Sequence, residues 1–317
     1  MAFLAGMLTP LRIAPVLRER VWGGRRLDPE GVRSIGEAWV VHGSNRIVGG
    51  PLDGRTLDQA TAALGERLLG RRGASAAGGR FPLLVKLLDA ADWLSVQVHP
   101  DDEQAARLEG ADQVGKTEAW HILEAAPGAR VIAGLRDGTT REALERAIRA
   151  GTLLELARYL DVRPGDTIFN RAGLVHALGP GLLLYEVQQS SDITYRVWDW
   201  NRPASPERPL HVEQSLAVVR LDARPEVTRA GAAVDGAPLT SCPYFALERF
   251  GPGPAAVGTP RSSFDAVTLV EGAAVLRGGG WSEELGRFES ALVPAEAGAY
   301  RIEARGDTYR ALVARVP

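Results

Sequence analysis

Cysteine is almost absent from this chain: Cys242 is the only one in 317 residues. That excludes an internal disulfide framework and allows a thiolate metal site at most one ligand. A metal ion would have to be held by histidine, carboxylate or amide oxygen. An excess of either charge is also missing, since 37 Lys and Arg against 39 Asp and Glu leave a formal net charge of −2. There is therefore no global electrostatic case for nucleic acid or an anionic membrane as partner. No run of about 18 apolar residues occurs, so no membrane-spanning helix is expected. The apolar start, Met1 to Leu11, has no basic leading segment and no clear cleavage site, and it reads as a first strand rather than a signal peptide. A soluble, cytoplasmic protein is the expectation. Histidine is scarce as well: His42, His99, His121, His176 and His211 complete the set.

What is present is an ordinary globular composition, 45% hydrophobic and 24% charged, with room for one large or two ordinary domains. Short apolar stretches recur between turn clusters, among them 36–44, 81–89, 94–99, 115–123, 182–188 and 194–198. This spacing predicts a mostly β chain built as an antiparallel barrel or jelly roll. Leu57, Ala60, Leu64 and Leu68 predict a short helix over 56–70, followed by a loop over 71–80. A further short helix is expected at 102–109, and a helix turn at 212–219. Residues 138–160 break the β rhythm, and Gly151 there separates two expected short helices. Residues 223–239 read as a linker. The expected organisation is a catalytic domain over 1–225, with its helical insertion at about 138–160, and a small C-terminal β-domain over 240–317.

The most informative stretch is Leu94-Ser95-Val96-Gln97-Val98-His99-Pro100-Asp101-Asp102. Strand side chains repeat every two residues, so Leu94, Val96 and Val98 would share one face and Ser95, Gln97 and His99 the other. A hydroxyl, an amide and an imidazole in a row suit a polar pocket better than a solvent face. Ala90-Ala91-Asp92 is expected to join this strand to 81–89 as a hairpin. A catalytic zinc site needs a few imidazoles or carboxylates and one open position. His99, Glu118 and His176 lie on segments that a barrel could bring together, and Gln97 could add an amide oxygen. Each also has a plain structural reading. A strand histidine is commonly a hydrogen-bonded core or rim residue, and Glu118 could pair with Lys116 as a surface ion pair worth ~0–1 kcal/mol. Lys86 could be a solvated strand end, and Arg196 could stack on its aromatic neighbours. Glu186 and Asp192 could be rim carboxylates. His42, His121 and His211 read as structural, and Trp22, Trp39 and Trp120 as pocket walls.

Four segments together are more specific. Phe81-Pro82-Leu83-Leu84-Val85-Lys86, the 94–102 stretch, Gly115-Lys116-Thr117-Glu118-Ala119-Trp120, and Gly173-Leu174-Val175-His176-Ala177-Leu178-Gly179 with the run Glu186 to Val197 resemble the class I mannose-6-phosphate isomerases in their short bacterial form. The resemblance covers roughly residues 15–220 and is most specific at 81–120 and 173–200. It implies a cupin-type β-barrel holding one zinc ion. The family's amide and imidazole ligands fall on Gln97 and His99, its carboxylate ligand on Glu118 and its later histidine ligand on His176. The family's active-site arginine falls on Arg196, its nearby acidic residues on Glu186 and Asp192, and its lysine before the metal carboxylate on Lys116. Lys86 and Ser95 match the residues that hold the substrate phosphate. One position departs from the pattern: Arg171 stands where the family usually has proline before the glycine of the histidine turn, so the turn could differ in geometry.

The implied reaction interconverts mannose 6-phosphate and fructose 6-phosphate: a proton leaves C2, a cis-enediol(ate) forms, and a proton returns to C1. Lys86 and Ser95 would anchor the phosphate. Zinc, with Arg196 or Lys116, would stabilise charge on the sugar oxygens. Lys116, Glu186, Asp192 and a metal-bound water are all candidates for the acid/base. The competing readings are a cupin isomerase for a different sugar and a non-catalytic binder of a sugar or sugar phosphate. Neither nucleic acid nor membrane is an expected partner, and oligomeric state is not legible.

Overall fold

Strands separated by glycine- and proline-rich turns are the commonest regular structure of the described residues, as the apolar rhythm predicts. The computed structural model describes residues 7–203, 206, 208–253, 255–257 and 262–317. Residues 1–6 of the expected first strand lie outside the described residues, and that strand runs Leu11–Ile13. No helix among the described residues is long and apolar enough to cross a membrane.

The chain forms two compact units. One comprises Met1–Leu17, Ala38–Leu87 and Gly231–Pro317; the other comprises Arg18–Glu37 and Leu88–Ala230. This differs from the expected grouping of 1–225 against 240–317. The change of unit at Ala230/Gly231 falls inside the expected linker, but residues 1–17 and 38–87 group with the C-terminal strands. The cause is long-range pairing: Leu11–Ile13 pairs antiparallel with Ser290–Val293, Leu11 opposite Leu292, and with Ile47–Val48. No local pattern encodes a partner that distant in sequence.

The C-terminal unit is built on the strands Asp265–Gly278 and Tyr300–Arg315, paired along most of their length. Its core includes Phe250, Val267, Leu269, Leu276, Trp281 and Ile302. Two helices, Leu57–Leu64 and Glu66–Ala77, replace the expected helix and loop. Thr56 and Gln59 form the capping box of the first. The second is kinked at Gly70 (φ 69°, ψ 172°), past the fully buried Leu68 and Leu69, and at the kink Arg72 N–H donates to the Ser262 carbonyl at 2.8 Å before the helix resumes through the Arg/Gly/Ala/Ser stretch. Low apolar content had disguised it as a loop.

The unit Arg18–Glu37 with Leu88–Ala230 carries two groups of strands. One sheet runs Tyr195–Trp198, Val96–Val98, His176–Leu178, Arg130–Leu135 and Ala157–Asp161 in spatial order. The other group runs Glu226–Thr228, Thr167–Asn170, Glu118–Ala125 and Leu182–Gln189 in spatial order. Trp120, Ile122, Val131, Leu178 and Leu184 pack together in one core. Alternate residues of the first sheet (Val96, Val98, Ile132, Ala177) face a second core with Leu144 and Ile148 of the helix Arg141–Ala150 and with Leu216 and Val218 of the segment Val212–Val218. The five-stranded sheet is thus apolar on both faces, except at one end of the first.

Three local expectations change here. After Gly151, which caps its helix with φ of 70°, comes a single 3₁₀ turn, Leu153–Glu155, and then a strand rather than a second helix. That strand is recruited by pairing with Arg130–Leu135. The expected hairpin between 81–89 and 94–99 does not form. Ala90 pairs with Gly23, whereas Val96–Val98 pairs with His176–Leu178 and Tyr195–Trp198. Residues 91–95 carry the chain from one sheet to another, so the strand alternation spans only 96–98. Leu94 accordingly joins the core of Trp120 and Ile122, not that of Val96 and Val98.

Candidate metal centre

The polar end of the barrel interior is set by strand register. In one sheet Gln97 lies opposite His176 on one side and Arg196 on the other. Opposed residues of an antiparallel pair share a face, so Arg196, Gln97 and His176 form a row. In the other group Glu118 lies between Asn170 and Gln188. Two residues along, Trp120 lies opposite Glu186, and its indole Nε1–H donates to Glu186 Oε2 at 2.8 Å.

His99, just past its strand, is brought in by three tethers. Its carbonyl accepts from Gly173 N–H at 2.8 Å, its Nδ1–H donates to the Ile193 carbonyl at 3.0 Å, and the Pro100 carbonyl accepts from Lys116 N–H at 3.0 Å. Asp101 then starts the helix Asp102–Glu109 through a capping box with Gln104. Asp102 accepts from Gly115 N–H at 2.8 Å and from Gln189 Nε2–H at 2.8 Å, which locks the approach to Lys116.

These constraints place His99, Lys116, Glu118 and His176 together, all buried. The ligand atoms of the two histidines and Glu118 lie within 4.8 Å of one another. His99 Nε2 is 3.5 Å from Glu118 Oε2, and His176 Nε2 is 3.2 Å from Glu118 Oε1. The Lys116 ammonium donates to Glu118 Oε2 and to His99 Nε2, the latter at 2.9 Å. Burial works against the charge of Glu118, but the Lys116 ammonium outweighs it and holds the carboxyl well below its usual range. Burial, then the Lys116 charge, pushes His99 down to about 3; burial likewise lowers His176. Both rings are therefore neutral near pH 7.

Neutral rings are what a metal requires. His176 Nδ1–H donates to the Leu174 carbonyl at 2.9 Å, which leaves Nε2 as a lone pair. That lone pair faces Glu118 Oε1, and neither atom has a hydrogen-bond partner. Two buried acceptors at 3.2 Å repel unless a cation lies against both. The donor set, two imidazoles and a carboxylate with an amide in register beside them, suits zinc. The residues present fit a metal ion.

Other candidate residues stand as follows. Ser95 is buried two positions before Gln97. Glu186 is buried and linked to the cluster through Trp120, whose ring meets His176 edge-on at 5.3 Å. Arg196 is half-buried, its guanidinium donating to the Pro209 carbonyl at 2.9 Å and its backbone N–H to His211 Nδ1 at 3.0 Å. Burial and the neighbouring Arg208 lower its pKa. Asp192 is exposed. Lys86 belongs to the other unit, where it is buried with its ammonium 5.5 Å from the centroid of the Trp39 ring, not a solvated strand end. His121 bonds Thr167 Oγ1 and His42 bonds Ser44 Oγ, both at 2.8 Å, as structural histidines do. Arg171 does not disturb the histidine turn: its carbonyl accepts from Leu174 N–H at 3.2 Å, and Gly173 supplies the positive φ of 86°. Sequence reading missed Asn170 and Gln188. Only the cross-strand register, which sets both opposite Glu118, singles them out.

Comparison with known proteins places the chain in a family. Residues 11–124 match the family model "Phosphomannose isomerase type I, catalytic domain". The chain is 33% identical to mannose-6-phosphate isomerase ManA of Bacillus subtilis over 308 residues, covering 93% of this chain and 96% of that one. It is 36% identical to the mannose-6-phosphate isomerase of Streptococcus mutans over 258 residues, covering 77% of this chain and 79% of the relative. Among solved structures it superposes on the mannose 6-phosphate isomerase from Bacillus subtilis with a TM-score of 0.83 and 28% identity, over 97% of this chain and 99% of that chain. On the strength of full-length identity, fold and motif positions together, the chain belongs to the type I mannose-6-phosphate isomerase family, with its cupin-type fold.

Proposed function

We propose that this protein is a zinc-dependent aldose–ketose isomerase that interconverts mannose 6-phosphate and fructose 6-phosphate through a cis-enediol(ate). The observation that carries this reading is the buried His99–Glu118–His176 cluster with the Lys116 ammonium against it. His99, Glu118 and His176, with Gln97 beside His176, would hold the metal. Zinc at this position supplies Lewis-acid polarisation of sugar oxygens.

The chain's own residues would do the rest. The Nζ of Lys116 lies at the cluster, which supports Lys116 as the group that would move a proton between adjacent carbons. Glu186, its carboxylate oriented by the Trp120 indole, is the second buried candidate for that role. Asp192, being exposed, would act from the rim. Arg196, in register with Gln97, supplies a cation for negative charge on the sugar oxygens. Ser95 and Lys86 are assigned to the phosphate on the strength of their motifs. The substrate is a small sugar phosphate, and a cytoplasmic setting suits it.

The test is direct. Purified protein should contain one zinc per chain and convert mannose 6-phosphate in a dehydrogenase-coupled assay. His99→Ala should lose both metal and turnover, while Arg196→Ala should keep the metal and lose turnover. Zinc content near zero, with no turnover after zinc is added back, overturns the enzyme reading. Turnover of another sugar alone, or binding without turnover, would select one of the competing readings.

A further inference from the structure

Asn170 ends the strand Thr167–Asn170 directly opposite Glu118 and on the same face. It is 1% exposed, yet neither its Nδ2 nor its Oδ1 has a hydrogen-bond partner in the protein. Leaving a buried amide unsatisfied costs about 1–3 kcal/mol. A β-branched hydrocarbon would suit this strand position better. Stability of the metal-free protein therefore does not account for an asparagine here.

Its neighbours narrow what it can do. On the other flank of Glu118, Gln188 donates its Nε2–H groups to the Gln189 carbonyl at 3.0 Å and to the Ser191 carbonyl. That leaves Oε1, an acceptor, on an amide that has no donor to spare. An acceptor cannot support a carboxylate. Lys116 donates to Glu118 Oε2, and Glu118 Oε1 has no donor. Of the two amides flanking Glu118, Asn170 is the one with N–H groups to offer. Because both of its polar atoms are unpartnered, a side-chain flip changes nothing in this argument. From Asn170 the chain continues through the turn Arg171–Leu174 to His176, so the residue also links the strand paired with that of Glu118 to the strand of His176.

We infer that Asn170 is a positioning residue of the metal centre: its Nδ2–H donates to the Glu118 carboxylate once the metal is held, and so orients that ligand. A neutral donor orients the carboxylate without competing for its charge, as a second cation beside Lys116 would. The inference rests on the metal reading above.

Zinc affinity separates the two. The metal-free full-length protein is titrated with zinc against a fluorescent chelator, and its thermal midpoint is recorded before zinc is added. Wild type should bind one zinc and His99→Ala none; failure of wild type to bind overturns the metal reading and this inference with it. With wild type binding, Asn170→Val should weaken zinc about 10–100-fold while its metal-free midpoint stays equal or rises. Asn170→Thr has the shape of valine but keeps a hydroxyl donor, and it should recover part of the loss. Wild-type zinc affinity in Asn170→Val overturns the inference. So does a threonine variant as weak as the valine variant, including the case where the valine variant folds poorly.

Discussion

Lys116 and Glu118 form an ion pair that is almost wholly out of water, at 3% and 0% exposure. Removing one partner of such a pair leaves an uncompensated buried charge, at a cost of about 3–5 kcal/mol. Lys116→Met should therefore destabilise the metal-free protein by that order in urea unfolding. Zinc, as a second source of positive charge beside Glu118, should restore much of the loss. An equal loss with and without zinc would show that the metal does not sit against Glu118. At this scale much was legible. Gln97 and His99 share strand parity, and Lys116 and Glu118 are separated by two, so each pair could be placed on one face from the sequence. Asn170 and Gln188 were not legible, because a polar residue in an apolar strand means little until its cross-strand neighbour is known.

Among elements, the turn Arg171–Leu174 shows which residue a local geometry actually depends on. Arg171 occupies the first position, where its side chain points outward to an exposed ion pair with Glu226 at 2.6 Å. The third position is the demanding one. Gly173 has φ of 86°, and a Cβ there would approach Arg220 Cγ to 2.7 Å. Gly173 N–H also holds the His99 carbonyl, and the Arg220 N–H donates to the Gly173 carbonyl at 2.9 Å. Gly173→Ala should cost more than about 1 kcal/mol and lower zinc affinity, since two candidate ligands depend on this turn. Chemical denaturation and the chelator titration would measure the two effects. Unchanged values for both would mean that the turn does not set the ligand geometry. The alternation at 96–98, the helix at 102–109 and the helix end at Gly151 were readable locally. The single 3₁₀ turn after Gly151 was not, because pairing with Arg130–Leu135 outweighs helical spacing there.

Over the whole molecule, stability should answer to two different ions in the two units. Under the proposed reading zinc would act on the unit with the histidine cluster, contributing about 4 kcal/mol at a thousand times Kd. In the other unit, Asp265 is fully buried, accepting from Arg315 Nε–H at 2.7 Å and from the Tyr300 hydroxyl at 3.1 Å, with Glu248 on the far side of Arg315. Burial pushes its carboxyl up to about 6 despite the attraction of Arg315 and the hydrogen bond from Tyr300. A folded pKa above the unfolded value means the folded state holds the proton more tightly. The resulting stability is complete below about pH 4 and is lost as pH rises through about 6, on the order of 3 kcal/mol. Asp265→Asn should remove this fall without altering zinc affinity. Denaturant titrations between pH 4 and pH 7 would show it, and an unchanged slope in the variant would mean that Asp265 ionises as easily in the fold as out of it.

The sequence by itself determined the strand-rich character, the capped helices, the scarcity that limits a metal to histidine, carboxylate and amide, and the motifs that carry the family resemblance. These are properties of composition and short-range periodicity, which the backbone imposes residue by residue. Only the tertiary structure decided which strands pair. It joined Leu11–Ile13 to Ser290–Val293, separated Leu94 from Val96, and set Asn170, Glu118 and Gln188 in one row. Pairing depends on burying whole faces and satisfying backbone groups far apart in the chain, and no local stretch contains that information.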